Sequence, residues 1–195
     1  MSLLVIGLTG PARSGKSTAA ERMVQEWGAH RLPFAAPLKR VLYTFLVDQG
    51  VDPERAHRMV YGDLKEVPSA LLGGSTSRRA QQLLGTEWGR ALSPPLWIDA
   101  WKRIVEDRVG KASADGETIL IVADDVRFPN EVAAIRALGG IVVRVARPGA
   151  GLAGAAGAHT SETTDLGDPD QTIVNDGGLE WLATQADALA SNVMD

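Results

Sequence analysis

The eight residues Gly10-Pro11-Ala12-Arg13-Ser14-Gly15-Lys16-Ser17 fit the spacing G-x-x-x-x-G-K-[ST], and no other segment constrains the chain as much. Before them runs Leu3-Leu4-Val5-Ile6-Gly7-Leu8, a short branched apolar stretch suited to a strand buried on both faces of a parallel sheet. After them, Ser17 to Trp27 spaces its apolar residues by three and four and stops at Gly28, a helix pattern with a C-terminal glycine. Strand, glycine turn and helix in that order aim the N–H groups of the turn and the positive end of the helix at one spot. A polyphosphate is the ligand such a spot stabilises. Lys16 would bridge the terminal phosphates, and the Ser17 hydroxyl would take one place on Mg²⁺, whose other ligands are phosphate oxygens and water.

The rest of the composition narrows the class. A chain of 195 residues with 45% hydrophobic and 23% charged residues builds a core and forms about one domain. With no cysteine and three scattered histidines, disulfides, thiolate zinc sites and cysteine nucleophiles drop out, so a metal would be held by oxygen. The net charge of -4 argues against a general nucleic-acid surface. No apolar run approaches the roughly 20 residues of a membrane span, and the N-terminus has no cleavable leader pattern, so a cytoplasmic protein that binds no membrane is expected. Fifteen of the 20 basic residues are Arg. That bias suits phosphate handling, and it equally suits a GC-rich genome.

Beyond the first helix the pattern predicts a weak strand over 31–34, then mostly helices over 37–110: LKRVLYTFLV, a short helix after Asp52-Pro53, RRAQQLLGTEWGRAL capped by 73–77, and WIDAWKRIVEDRV ending at Gly110. Strands follow at 118–123 and 141–146 with a helix over 129–138 between them, the alternation of parallel crossover units. Residues 148–158 carry almost no side-chain bulk and read as a mobile loop. A brief strand at 172–174, a turn over Asn175-Asp176-Gly177-Gly178 and a helix from Leu179 to about Ala190 complete the chain.

Asp124-Asp125 directly follows the 118–123 strand, where an acidic partner for the glycine loop belongs. Either carboxylate could hold a metal-bound water, and both are also ordinary turn residues. No N-K-x-D motif for reading guanine is present. Arg78 and Gln82, four apart, share a helix face able to grip a second anion, or simply form a solvated face.

Taken together, LTGPARSGKSTAA (8–20), FAAPLK (34–39), LKE (64–66), RRAQQLLGTEWGR (78–90), DVRFPNE (125–131), HTSE (159–162) and NDG (175–177) resemble the deoxynucleoside monophosphate kinases of tailed bacteriophages. The R-x-x-x-Q-x-x-G-T-E-x-x-R and DVRFPNE blocks are the most particular. The resemblance implies one α/β domain over 1–195 with the P-loop kinase fold. That fold is a three-layer sandwich around a five-stranded parallel sheet of order 2-3-1-4-5, with a helical acceptor-binding insertion at about 37–110 and a lid at about 147–162. It implies transfer of the γ-phosphoryl group of ATP, with Mg²⁺, to a deoxynucleoside 5′-monophosphate, in a monomer or homodimer that binds no nucleic-acid polymer. Were the gene phage-encoded, the host cytoplasm would be its location.

For the site, the resemblance implies that Gly10, Ala12, Arg13, Ser14, Gly15, Lys16, Ser17 and Thr18 hold ATP, with Asn175 and Gly177 beside the adenine. It favours Asp125 over Asp124 as the acidic partner of Ser17 at the metal. Lys16, Arg127 and Arg147 would act on the transferring group; Arg144 and Arg147 flank the end of a strand before the expected lid, where one of them would be a lid arginine, and Arg144 is equally a plain strand residue. Around the acceptor stand Phe34, Lys39, Lys65, Arg78, Gln82, Thr86, Glu87, Arg90, Trp97 and His159. Phe34 and Trp97 are equally core aromatics, and His159 is equally a loop histidine. Glu131 reads independently as an early acidic residue of a helix begun by Pro129. Two other readings stay open. One is a dephospho-coenzyme A or other small-metabolite kinase on the same fold, and the other is a nucleotide-binding switch or ATPase with no second substrate.

Overall fold

A computed structural model of the chain describes residues 2–113, 118–151 and 164–194. Five strands form one sheet: β1 (Leu3–Thr9), β2 (His30–Arg31), β3 (Ile119–Ala123), β4 (Ile141–Ala146) and β5 (Gln171–Val174). All its pairings are parallel, and in space the order is β2-β3-β1-β4-β5, the expected 2-3-1-4-5. Between them in sequence lie the helices α1 (Lys16–Trp27), α2 (Ala36–Asp48), α3 (Pro53–Tyr61), α4 (Ser77–Gln82), α5 (Leu96–Ser113) and α6 (Pro129–Ala137), with α7 (Leu179–Met194) at the end. Among the described residues no helix is long and apolar enough to cross a membrane.

The chain divides into two compact units, Met1–Phe34 with Lys102–Asp195, and Ala35–Trp101. In the first, the period of two along β1 sorts its side chains. Ile6 and Leu8 face a core made with Leu120, Val122, Val143, Val145 and Ile173, closed by Met23 of α1 and by Leu182, Ala186 and Leu189 of α7. Val5 and Gly7 face the opposite way, towards α6, where Ile135 fills the space that a side chain at Gly7 would need. Helices on both faces make the three layers, and they explain why β1 and β3 read as continuous apolar runs.

The second unit has its own core of Leu42, Leu46, Ala56, Met59 and Val60. Asp52 caps α3, accepting from the Arg55 N–H at 3.1 Å, and Thr76 caps α4, accepting from the Arg79 N–H at 3.2 Å, as the sequence leads one to expect. A two-residue antiparallel ladder pairs Pro68–Ser69 with Ser75–Thr76.

Three local expectations are corrected. The strand expected over 31–34 is only His30–Arg31, and Leu32 donates a last backbone bond to Val122 before the chain turns. Gly110 does not end α5, which runs through it to Ser113. The helix expected over 78–92 is α-helical only through Gln82 and takes a π-helical pitch over Leu83–Arg90. The cause lies in Trp97: its indole occupies the place of a side chain at Gly89, and its Nε1 donates to the Gly85 carbonyl at 3.1 Å. A carbonyl engaged from outside loosens the i to i+4 ladder.

Helices α1 and α7 are tied by a fork: the Arg22 guanidinium donates to both Asp187 carboxylate oxygens at 2.8–3.1 Å, and Trp27 Nε1 donates to the same carboxylate at 3.0 Å. The Arg22 hydrogen bond, opposed by burial and aided by the Trp27 bond, holds the Asp187 carboxyl below its ordinary value. A carboxyl with a depressed folded value stabilises fully above its unfolded value of about 3.9 and loses that contribution as pH falls through the folded value. Asp187→Asn should therefore lower the thermal midpoint at pH 7, and the gap to the parent protein should close in midpoints measured near pH 2.

Candidate active site

The turn after β1 adopts a backbone that only its sequence allows. Gly10 (φ 130°) and Gly15 (φ 109°) lie in the left-handed region, and a side chain at Gly10 would run into the Val145 carbonyl of β4. A side chain at Gly15 would meet the Asn175 amide at 2.6 Å and Leu182 at 2.8 Å. Arg13 is the one non-glycine residue with positive φ (65°) among the described residues. Lys16, the first residue of α1, is buried and folds back, its Nζ donating to the carbonyls of Gly10 and Pro11 at 2.7 Å each. The ammonium is therefore held against the start of the loop by two of its carbonyls.

Asn175 braces the loop from outside. Its buried side-chain amide donates to the Ser14 carbonyl at 2.8 Å, and its backbone N–H donates to Ala146 at 2.7 Å, so it ties the loop to the ends of β4 and β5. Gly177, two residues on, lies against the Trp181 ring, which leaves no room for a side chain there.

The two aspartates part company. Asp124, 5% exposed, accepts from Ser17 Oγ at 2.9 Å and from Arg31 at 2.6 Å. Asp125, favoured by the sequence resemblance, instead accepts from the Phe34 backbone N–H at 2.7 Å. Successive residues leaving β3 point to different sides, and it is Asp124 that turns toward α1. Arg31 was not singled out from the sequence, because a lone arginine on a two-residue strand carries no motif. Burial, the largest influence on its guanidinium, works against the charge, but the hydrogen bond and attraction of Asp124, with Glu21 and Asp125 behind, hold its pKa above the ordinary value.

On the other side of the loop lies a cavity of about 360 Å³, lined among others by Thr9, Gly10, Pro11, Arg127, Arg144 and Asp165. Arg127 is fixed by its backbone: buried Glu131 accepts from the N–H groups of Arg127 and Phe128 at 2.7 and 3.1 Å, capping α6 as its position there implies. Arg144, in β4, reaches the cavity; Arg147, in the turn beyond the strand, is exposed and does not line it.

The remaining acceptor candidates divide by unit. Phe34 belongs to the first, its side chain buried. In the second unit Trp97 is buried and its indole N–H donates to the Gly85 carbonyl. Arg78 on α4 pairs with Glu66, and Lys65 is half-buried beside it in sequence. Lys39 Nζ stands 5.9 Å over the Tyr61 ring. Gln82 ends α4, and half-buried Thr86 and Arg90 with exposed Glu87 lie on the π-helical turn. His159, and residues 152–162 of the expected lid, lie outside the described residues.

Ser17 Oγ and Asp124 Oδ2 are hard oxygen donors within hydrogen-bond distance of each other, a pair that suits Mg²⁺ supplied with phosphate and water ligands. Asn175→Asp should leave the Ser14 carbonyl facing an acceptor and lower stability by about 1–3 kcal/mol in urea unfolding.

No family model matches the chain. It is similar over nearly its whole length to a curated viral protein named "Putative deoxynucleotide monophosphate kinase", from Acanthamoeba polyphaga mimivirus, with 27% identity over 198 aligned positions that cover 97% of each chain.

Proposed function

We propose that the chain is a nucleotide kinase that moves the γ-phosphoryl group of ATP to a deoxynucleoside 5′-monophosphate. The observation that carries this reading is a cavity that opens beside the first residues of the phosphate loop and is lined by two arginines of the β3–α6–β4 crossover, Arg127 and Arg144, which we read as a second anion site. A switch or simple ATPase needs the loop and its aspartate but no such neighbour. The named function of the viral relative, aligned from end to end, points the same way.

On this reading the loop N–H groups and Lys16 hold the β- and γ-phosphates, and Ser17 with Asp124 would hold Mg²⁺ and its water. Mg²⁺, when bound, would supply positive charge that offsets the charge of the phosphates. Arg127 and Arg144 face the transferring group and the acceptor phosphate, reducing the repulsion between two anions that must approach in line. The acceptor's phosphate oxygen is already ionised, so it attacks the γ-phosphorus while the bond to the ADP oxygen breaks, and no general base is needed. Arg78 and Gln82 are the proposed grip on the acceptor nucleotide, with Glu66 holding the Arg78 fork until an anionic ligand replaces it.

Steady-state kinetics with ADP followed by a coupled assay test the assignment of roles. Lys16→Met should lower turnover about a hundredfold or more. Arg78→Ala should raise KM for the acceptor about tenfold or more while KM for ATP changes less than about twofold. Equal losses for both substrates would remove Arg78 from the acceptor site, and turnover of dephospho-coenzyme A alone would change the substrate class.

A further inference from the structure

Asp124 carries two partners on one oxygen. Its Oδ2 accepts from Ser17 Oγ at 2.9 Å and from the Arg31 guanidinium at 2.6 Å. Arg31 is held over it from behind, level with Val122 in the β2–β3 pairing and with Glu21 of α1 at 3.7 Å from its other nitrogen. Asp124 is 5% exposed and the Arg31 side chain 37%, so the carboxylate is enclosed while the cation stays in reach of water. A buried carboxylate without a counter-charge is strongly disfavoured, and Arg31 supplies that charge at the atom that the proposed function gives to the metal and its water.

We infer that Arg31 is a resident counter-cation for Asp124, keeping divalent metal out of the Ser17–Asp124 seat until a nucleotide brings it in. This rests on the proposed function only in taking Ser17 and Asp124 as the metal seat. A unit positive charge in contact with the carboxylate repels an approaching dication by an energy that, even at the dielectric constant of water, amounts to about tenfold in affinity. Phosphate oxygens reverse the balance. They contribute several negative charges, and the dication arrives already bound to them. Arg31 then needs only to swing toward solvent or toward phosphate, and its exposure permits either. The carboxylate is thus paired in both states, by guanidinium in one and by metal-bound water in the other. Arg31 acts through Asp124 and is a positioning residue.

The test is a Mn²⁺ titration of the full chain without nucleotide, read by the electron paramagnetic resonance signal of free Mn²⁺, with thermal midpoints in Mg²⁺ as a second readout. Arg31→Gln should bind Mn²⁺ about tenfold or more tightly than the parent protein and gain thermal stability on adding Mg²⁺. The double variant Arg31→Gln/Asp124→Asn should lose both gains. Should Arg31→Gln fail to fold, Arg31→Lys serves: its shorter point charge lies farther from Oδ2, and its Mn²⁺ affinity should rise above that of the parent protein. Parent-level Mn²⁺ binding in the folded variants, or a gain that Asp124→Asn leaves intact, overturns the inference. Because no turnover is involved, these results stand apart from the kinase assay, whose failure with the parent protein would instead refute the proposed function.

Discussion

The parallel pairing of β1 with β3 and β4 is the constraint on which the rest depends. Its register sets Gly7 level with Ala123 on one side and Val142 on the other, so β1 and β3 end almost together. The glycine loop leaves from β1 and Asp124 leaves from β3 at the same edge of the sheet, and Ser17 reaches Asp124 without any long-range folding of loops. β4 extends the same edge on the other side, where the Val145 carbonyl presses on Gly10 and Arg144 borders the cavity. A parallel sheet gathers its chemistry at the carboxyl ends of its strands for this reason.

Two further ties turn that edge into a rigid cradle. Asn175 bridges from the end of β5 to the Ser14 carbonyl, and Leu182 of α7 packs where a side chain at Gly15 would stand. The loop is therefore shaped from both ends, by β4 at Gly10 and by the β5–α7 connection at Gly15. Lys16, donating to Gly10 and Pro11, closes the remaining side. On the proposed function, a loop braced in this way gives up little free energy to reorganisation when phosphate enters.

Much of this was legible from the residues alone. The loop, the strong strands and the caps at Asp52 and Thr76 follow from local signals, since each depends on neighbours in sequence, and the sheet order follows from the motif resemblance alone. What escaped depends on contacts between residues far apart. The choice between Asp124 and Asp125 turns on which way each side chain leaves β3, and a one-residue difference in a turn is invisible to a motif. Arg31 is noticed only once β2 lies beside β3. The loop-bracing role of Asn175 needs Ser14 brought to it across 161 positions, and the π-helical turn needs the Trp97 indole seated against Gly85 and Gly89.

The central claim is that one site holds two phosphates and passes a phosphoryl group between them. Its most direct test is to incubate the chain with ATP labelled at the γ-phosphorus, Mg²⁺ and each of the four common deoxynucleoside monophosphates in turn, then separate the products. Label recovered in a deoxynucleoside diphosphate with at least one acceptor is the predicted result. Label appearing only as inorganic phosphate, at a rate no acceptor changes, would contradict it and leave a nucleotide hydrolase in its place.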